Sequence, residues 1–417
     1  MKGNSSGKLT IYILVAMILG IGVGYFIHLN STPETIKSIS SNLKLLTTIF
    51  LRLVQMVIAP LVFTTLVVGI AKLGDLKTVG RVGGKAMLWF VSASLISLLL
   101  GMLLVNFFKP GNAINLNSAD LEGAKDLIGK TQEFSIQKFV EHVFPKSIFE
   151  AMASNEILQI VVFSIFFGVG TAALGERGKV VVKALDATAH IILKMVGYVM
   201  NFAPLGVFGA IAAVIATKGL EVFSFYGKYL FSFLVGISCL WVLLLTVGYI
   251  ILGKRLFALL KAISQPLLIA FSTTSSEAVF PKLSEELVRF GCKDKIVSFI
   301  LPLGYSFNLD GSMMYMTFAS LAIAQAYGVH IDIPTQLTML VVLMLTSKGI
   351  AGVPRASLIV VTATCAMFNI PPEGIALILP IDHFCDMFRS TTNVLGNSLA
   401  TTVVSKWEGA LENPAQA

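Results

Sequence analysis

Apolar residues run along this chain in long stretches separated by short polar joints. Stretches long enough to cross a bilayer core of about 30 Å fall at 9–29, 44–71, 83–108, 157–175, 181–217, 222–253, 296–327 and 374–405. The pattern predicts eight spanning helices. Several exceed the length of a straight crossing, so tilted or broken helices are expected. Leu9–Leu29 follows a basic start, but its apolar run is too long for a signal peptide core and no small-residue cleavage site follows. It reads as the first span. The segment 109–150 mixes Asp120, Glu122, Lys125, Asp126, Lys130 and Glu133 with Gly and Pro and reads as a loop outside the bilayer.

Two regions break the pattern. Residues 256–290 have an apolar half to Phe271, a polar tip Ser272-Thr273-Thr274-Ser275-Ser276-Glu277, and a second half that becomes charged. Residues 334–371 have an apolar half to Leu345, a tip Thr346–Arg355, and a second apolar half to Ile370. No half is long enough to span alone, and each pair fits a re-entrant hairpin. Irregular backbone at membrane depth is tolerated only inside protein or beside a wet cavity. Each hairpin precedes a span with intramembrane polar residues, and paired interrupted segments of this kind point to a transporter's binding site.

Composition sharpens the picture. Of 417 residues, 55% are hydrophobic and only 13% charged, with a mean hydropathy of +0.83. A soluble protein carries about 25% charged residues, so an aqueous enzyme, a disordered chain and a secreted disulfide scaffold are excluded. The net charge of +8 comes from short basic joints, among them Lys2 and Lys8, then Lys72, Lys77, Arg81 and Lys85, then Lys254, Arg255 and Lys261. The positive-inside bias places these joints, and both termini, in the cytoplasm. It also makes nucleic acid an unneeded partner. The four cysteines and five histidines show no disulfide or metal-ligand spacing, and no P-loop, zinc-protease or serine-hydrolase motif is present.

The last span carries the chemistry. Asp382, Asp386, Arg389, Asn393 and Asn397 are spaced 4, 3, 4 and 4 and share one helical stripe, with Ser390 beside it. Charges at bilayer depth cost a few kcal/mol, so the stripe must face protein or a cavity. A structural Asp382–Arg389 pair would explain part of it. Arg389 offers a planar fork for a carboxylate, and Asp386, one turn earlier, suits an ammonium. Together they fit an acidic amino acid. The serine-rich tip and the Gly352-Val353-Pro354 tip add backbone donors at half-helix ends. Asn308, Asp310 and Asn393 are hard oxygen ligands for a small cation, and Gly304 and Gly311 permit an unwound turn.

Ser275-Ser276-Glu277, Tyr305–Ser312, Gly349–Pro354 and Asp382–Asn397 resemble the motifs of the dicarboxylate/amino acid:cation symporters, the glutamate transporter family, over nearly the whole chain. The resemblance implies an all-α polytopic membrane protein of eight transmembrane helices plus two re-entrant hairpins built as inverted repeats, in a bacterial inner membrane and assembled as a homotrimer. Residues 1–255 would be mainly scaffold, with the third and sixth spans associating with the transport domain. Residues 256–410 would be the core of that domain: hairpins 256–290 and 332–371 and spans 294–327 and 374–409. It would move as an elevator with the second hairpin as outer gate. By position, Arg389 would bind the substrate's side-chain carboxylate and Asp386 its ammonium, supported by Asn393, Ser390, Ser276, Ser275 and Ser312. Gly304, Asn308, Asn393 and Asn397 match one sodium site; Ser306, Ser347 and Ile350 a second; Asp310, Asn308 and Ser94 a third.

Four departures bear on these roles. Asn397 replaces an Asp of sodium-coupled members, and Phe90 and Ala93 replace hydroxyls of the third site, which raises proton coupling beside sodium. Met316 replaces the proton-carrying Glu of vertebrate members, leaving Asp382, Asp386, Asp310 or Glu277 to carry any proton. Thr274 replaces an Arg of archaeal relatives on the first tip, while Arg355 appears on the second. Arg355 either supplies that charge from the opposite side or snorkels to water. The expectation is sodium-driven uptake of aspartate or glutamate, with a C4-dicarboxylate symporter or a gated anion channel as alternatives, and no enzymatic activity.

Overall fold

The computed structural model describes residues 4–73, 76–113, 143–220, 226–347 and 356–412. Among them the architecture is all-helical and contains no strand. A single antiparallel bridge joins Cys292 to Leu411.

Helices α1 (Asn4–Asn30), α2 (Pro33–Leu73) and α3 (Leu76–Phe108) match the first three apolar stretches. α2 begins eleven residues before the stretch at 44–71, because Pro33 pre-sets the helical φ at the first position. Ile11, Ile18, Leu19 and Phe26 of α1 stay exposed, as expected of a helix facing lipid. The short α4 (Ile148–Ala153) leads into α5 (Ile157–Ala173).

The stretch 181–217 is not one straight helix. It divides into α6 (Lys179–Val199) and α7 (Ala203–Lys218), bent by 51° where the two meet. Pro204 sits at the start of α7. Its ring clashes with the carbonyl four residues back and it has no N–H to donate, so the helix restarts. α8 (Gly227–Leu252) follows, then α9 (Arg255–Ala262) and α10 (Ser264–Thr273), bent by 47°. Here Pro266 excludes a bond to the carbonyl of Ala262. The leading half of the expected first hairpin is therefore itself kinked.

The chain turns at Thr274, which lies in the left-handed region at φ 53°, an unusual place for a β-branched residue. It returns through α11 (Phe280–Phe290). The next span is broken as expected. α12 (Asp294–Phe307) stops, Asn308 and Leu309 leave helical geometry at ψ 70° and 60°, and α13 (Asp310–Ala326) restarts. The region expected as the second hairpin holds α14 (Ile333–Thr346) and α15 (Ala356–Met367), which pack on each other. Asp332 caps α14 by accepting from Thr335 N at 3.0 Å. Its tip residues Ile350, Gly352, Val353, Pro354 and Arg355 lie outside the described residues.

The last helix, α16 (Ile375–Trp407), is the hub. It packs against α3, α8, α10, α12 and α13, and every residue from Arg389 to Ser405 is buried. A helix buried all round sits inside the protein rather than against lipid. A second set packs together: α1 and α2 on α7, and α2 on α5 and α6.

The chain beyond α16 fastens the neighbouring helix ends. Glu408 is gripped by Arg81 Nη2 at 2.9 Å and Lys85 Nζ at 2.7 Å. Glu412 N donates to Gly291 O at 2.8 Å, Lys293 N donates to Ala410 O at 3.0 Å, and Arg255 donates to Glu412 O.

Candidate functional site

The polar stripe of α16 faces inward, and three clusters form along it. Near its middle, Arg389 is 2% exposed. Its Nε donates to Asp386 Oδ1 at 3.0 Å, and its Nη2 reaches the same oxygen at 2.8 Å. Nη1 lies 3.5 Å from Asp382 Oδ1. The guanidinium also stands over the ring of Tyr315, 4.3 Å from its centre, a cation–π contact. The Tyr315 hydroxyl donates to Asp382 at 2.8 Å, and Ser390 Oγ donates to Asp386 at 3.2 Å. Asp386 keeps 23% of its side-chain surface exposed against 3% for Arg389. The cluster opens on the Asp386 side.

One turn on, Asn393 bridges to the restart of α13. Its Oδ1 accepts from Gly311 N at 2.9 Å and Ser312 N at 3.2 Å, and its Nδ2 donates to Ser312 Oγ at 3.0 Å. It thereby satisfies amides that a helix start leaves open. Gly311 is required: a Cβ there would lie 2.8 Å from Thr392 Cβ and strike Arg389 O. Thr392 in turn accepts from Trp241 Nε1 of α8 at 2.8 Å.

The third cluster surrounds the helix break. Asn308 Nδ2 donates to Asp310 Oδ2 at 3.2 Å, and Gly396 passes so close that a Cβ would collide with that oxygen. Asn397 lies against Gly304, where a Cβ would collide with Asn397 Oδ1. Asn308 Oδ1, Ser306 Oγ and both polar atoms of Asn397 are buried with no hydrogen-bond partner among the described residues. Unsatisfied buried oxygens are costly, and here they converge on one break. Ser94 Oγ of α3 donates to Phe307 O at 3.4 Å. Phe90, fully buried, would lie 3.7 Å from a Cβ on Gly304, so α3 lines this cluster with an apolar ring.

The first tip sits alongside. Phe271 of α10 meets Phe388 edge-on at 5.1 Å. Ser275 Oγ accepts from Ala278 N at 3.2 Å, shaping the turn, and Ser276 is half-buried beside it. Ser347 is buried and donates to Met344 O at 3.1 Å. Ile350, Gly352, Val353, Pro354 and Arg355 fall outside the described residues.

The sequence reading missed Tyr315, which touches both Arg389 and Asp382. An isolated tyrosine in an apolar span carries no local signal. Its place one turn after Gly311 was the single hint.

The sodium:dicarboxylate symporter family model matches residues 9–407. A proton/sodium-glutamate symport protein of Geobacillus stearothermophilus is 39% identical over 95% of this chain and 94% of its own length. C4-dicarboxylate transport proteins are similarly related: that of Laribacter hongkongensis is 40% identical over 96% of this chain and 90% of its own, and that of Bacillus subtilis 37% identical over 97% and 94%. With apolar helices of spanning length around a buried polar core, and with this match along its length, the chain is an integral membrane protein and belongs to the sodium:dicarboxylate symporter family.

Proposed function

We propose that this protein is a secondary active transporter taking up acidic amino acids, aspartate or glutamate, with sodium as a coupling ion and protons beside it. The observation that carries this reading is a buried guanidinium, Arg389, next to a carboxylate, Asp386, that keeps an open edge. A fork that binds carboxylates bidentately, one turn from an acid suited to an ammonium, matches the two ends of such a substrate. Ser390, Asn393, Ser312, Ser275 and Ser276 would hold its main-chain groups, with Gly352, Val353, Pro354 and Arg355 closing from the second tip.

The unpartnered oxygens at the break support one sodium position at Gly304, Asn308, Asn393 and Asn397. Ser306, Ser347 and Ile350 would form a second, and Asp310, Asn308 and Ser94 a third. The packing of α3 and α8 on α13 and α16 supports a transport body of 256–410 joined by those two helices. The set around α2 would be the scaffold of a homotrimer, within eight spans and two hairpins. Elevator motion in a bacterial inner membrane with cytoplasmic termini follows from the same reading.

The relatives named for C4-dicarboxylates favour a second reading, transport of succinate-like acids. Asp386 argues against it, since a dicarboxylate brings no ammonium to that acid. The test is reconstituted uptake of labelled aspartate and glutamate, with succinate as competitor and sodium and proton gradients imposed separately. Concentrative uptake that collapses without a cation gradient is expected. Downhill flux alone would mark a gated anion channel, and stronger uptake of succinate than of glutamate would install the second reading.

A further inference from the structure

Two carboxylates share one guanidinium in the middle of α16. Asp386 takes both Nε and Nη2 of Arg389 at 3.0 and 2.8 Å. Asp382 stands 3.5 Å from Nη1 with its side chain 7% exposed. Two acids against one base leave the trio with a net charge of −1. A buried charge is tolerated at membrane depth only when it is paired, so both acids depend on Arg389.

An arriving substrate disturbs that arrangement unevenly. This step rests on Arg389 being the carboxylate site. Once the substrate carboxylate engages the guanidinium, it competes with both protein acids. The ammonium of an amino acid compensates Asp386, which is the acid on the open side of the cluster. Nothing the substrate brings compensates Asp382, which lies deeper. The Tyr315 hydroxyl that donates to it at 2.8 Å is a neutral partner.

Among the described residues, the groups facing Asp382 include Arg389, Asp386 and Cys385 on its own helix, Tyr315 on α13 and Tyr229 on α8. The two phenols and the thiol add no charge of their own at neutral pH. His383 follows it in the chain.

We propose that Asp382 is the site of the coupled proton, accepting it as the substrate carboxylate takes Arg389. The carboxylate gains one proton from the side on which substrate enters and becomes a neutral acid. It releases that proton on the other side when substrate leaves and Arg389 pairs with it again. Substrate and proton therefore bind with positive, reciprocal coupling. A C4-dicarboxylate brings a second negative charge and no ammonium, so Asp386 also loses its compensation and a further proton is required. Proton demand then depends on which substrate is carried.

The test uses the full-length protein in proteoliposomes at a fixed sodium gradient with inner and outer pH set independently. For the wild type, accumulation of labelled glutamate should rise by up to about tenfold per unit of inward proton gradient, the limit for one coupled proton. Asp382→Asn should lose most of that dependence. Wild-type dependence in Asp382→Asn, or glutamate accumulation by the wild type with no proton flux, overturns the proposal. Failure of the wild type to accumulate any acidic substrate under a sodium gradient would instead sink the transport reading itself.

Should Asp382→Asn fail to fold, the wild type is compared with Tyr315→Phe, which removes the hydroxyl that donates to Asp382 and should shift the pH range of proton uptake; an unshifted range rejects the assignment. A pH indicator in weakly buffered detergent solution at saturating sodium counts the protons taken up on binding. About one per glutamate is expected from the charge balance, and about two per succinate to whatever extent succinate binds. Equal counts for the two, or none, reject the assignment.

Discussion

Asn397→Asp isolates the cation cluster with almost no change in shape. Asn397 is 1% exposed, both its polar atoms lack a hydrogen-bond partner among the described residues, and Asn308 Oδ1 is in the same condition. The substitution turns a neutral oxygen into an anionic one at the helix break. A cation about 2.4 Å from it gains about 7 kcal/mol at an effective dielectric of about 20. Taking the carboxylate out of water returns several kcal/mol. A surplus of about 1.5–3 kcal/mol is expected, equivalent to about 10–150-fold tighter sodium binding. The assay is the sodium activation curve of glutamate uptake in proteoliposomes, which should move to lower sodium by at least about tenfold on that scale. Thermal unfolding supplies the control. Without sodium the variant carries an uncompensated buried charge and should melt below wild type. Added sodium should recover the loss, because a ligand bound only by the folded state stabilises it. A sodium curve unmoved within about twofold, with a melting point indifferent to sodium, would refute the assignment of a cation to this cluster.

Other perturbations test other parts. Gly396→Ala places a Cβ against Asp310 Oδ2 and 3.2 Å from Asn308 Nδ2; overpacking of about 1–3 kcal/mol should raise the sodium requirement, whereas Gly170→Ala, with open space around it, should not. At the clasp, Arg81 and Lys85 hold the Glu408 carboxyl below its usual range. A lowered folded value means stability that is present above about pH 4.5 and lost as pH falls through the folded value. Glu408→Gln should therefore melt earlier at neutral pH, by the equivalent of about 1 kcal/mol or less given the exposed Arg81, and the gap should close on acidification; a gap constant with pH contradicts the pairing. Arg355→Gly should weaken uptake of acidic substrates if that residue faces the site, and unchanged apparent affinity assigns it to surrounding water.

What could be read from the sequence was what a single helix determines on its own. The stripe from Asp382 to Asn397 follows from spacing along one helix, and the break at Asn308–Leu309 from glycines flanking polar residues. Proline also wrote its message locally: Pro204 and Pro266 mark both bends. Hydropathy counts a proline as one more residue in an apolar run, so a 51° bend hid inside one stretch. Features made between distant segments left no such trace. Tyr315 matters because α13 brings its face to Arg389 and its hydroxyl to Asp382. Trp241 matters because α8 runs beside Thr392. Glu408 matters because α3 ends its first turns at two basic residues. Each is an ordinary residue until the fold supplies a partner. The same holds for Asp382. Spacing made it a candidate ion-pair partner of Arg389, whereas its competition with Asp386 for one guanidinium is a property of the assembled cluster. Charge at membrane depth is expensive enough that the competition must be settled by whatever enters, which is why ligand and proton are expected to arrive together.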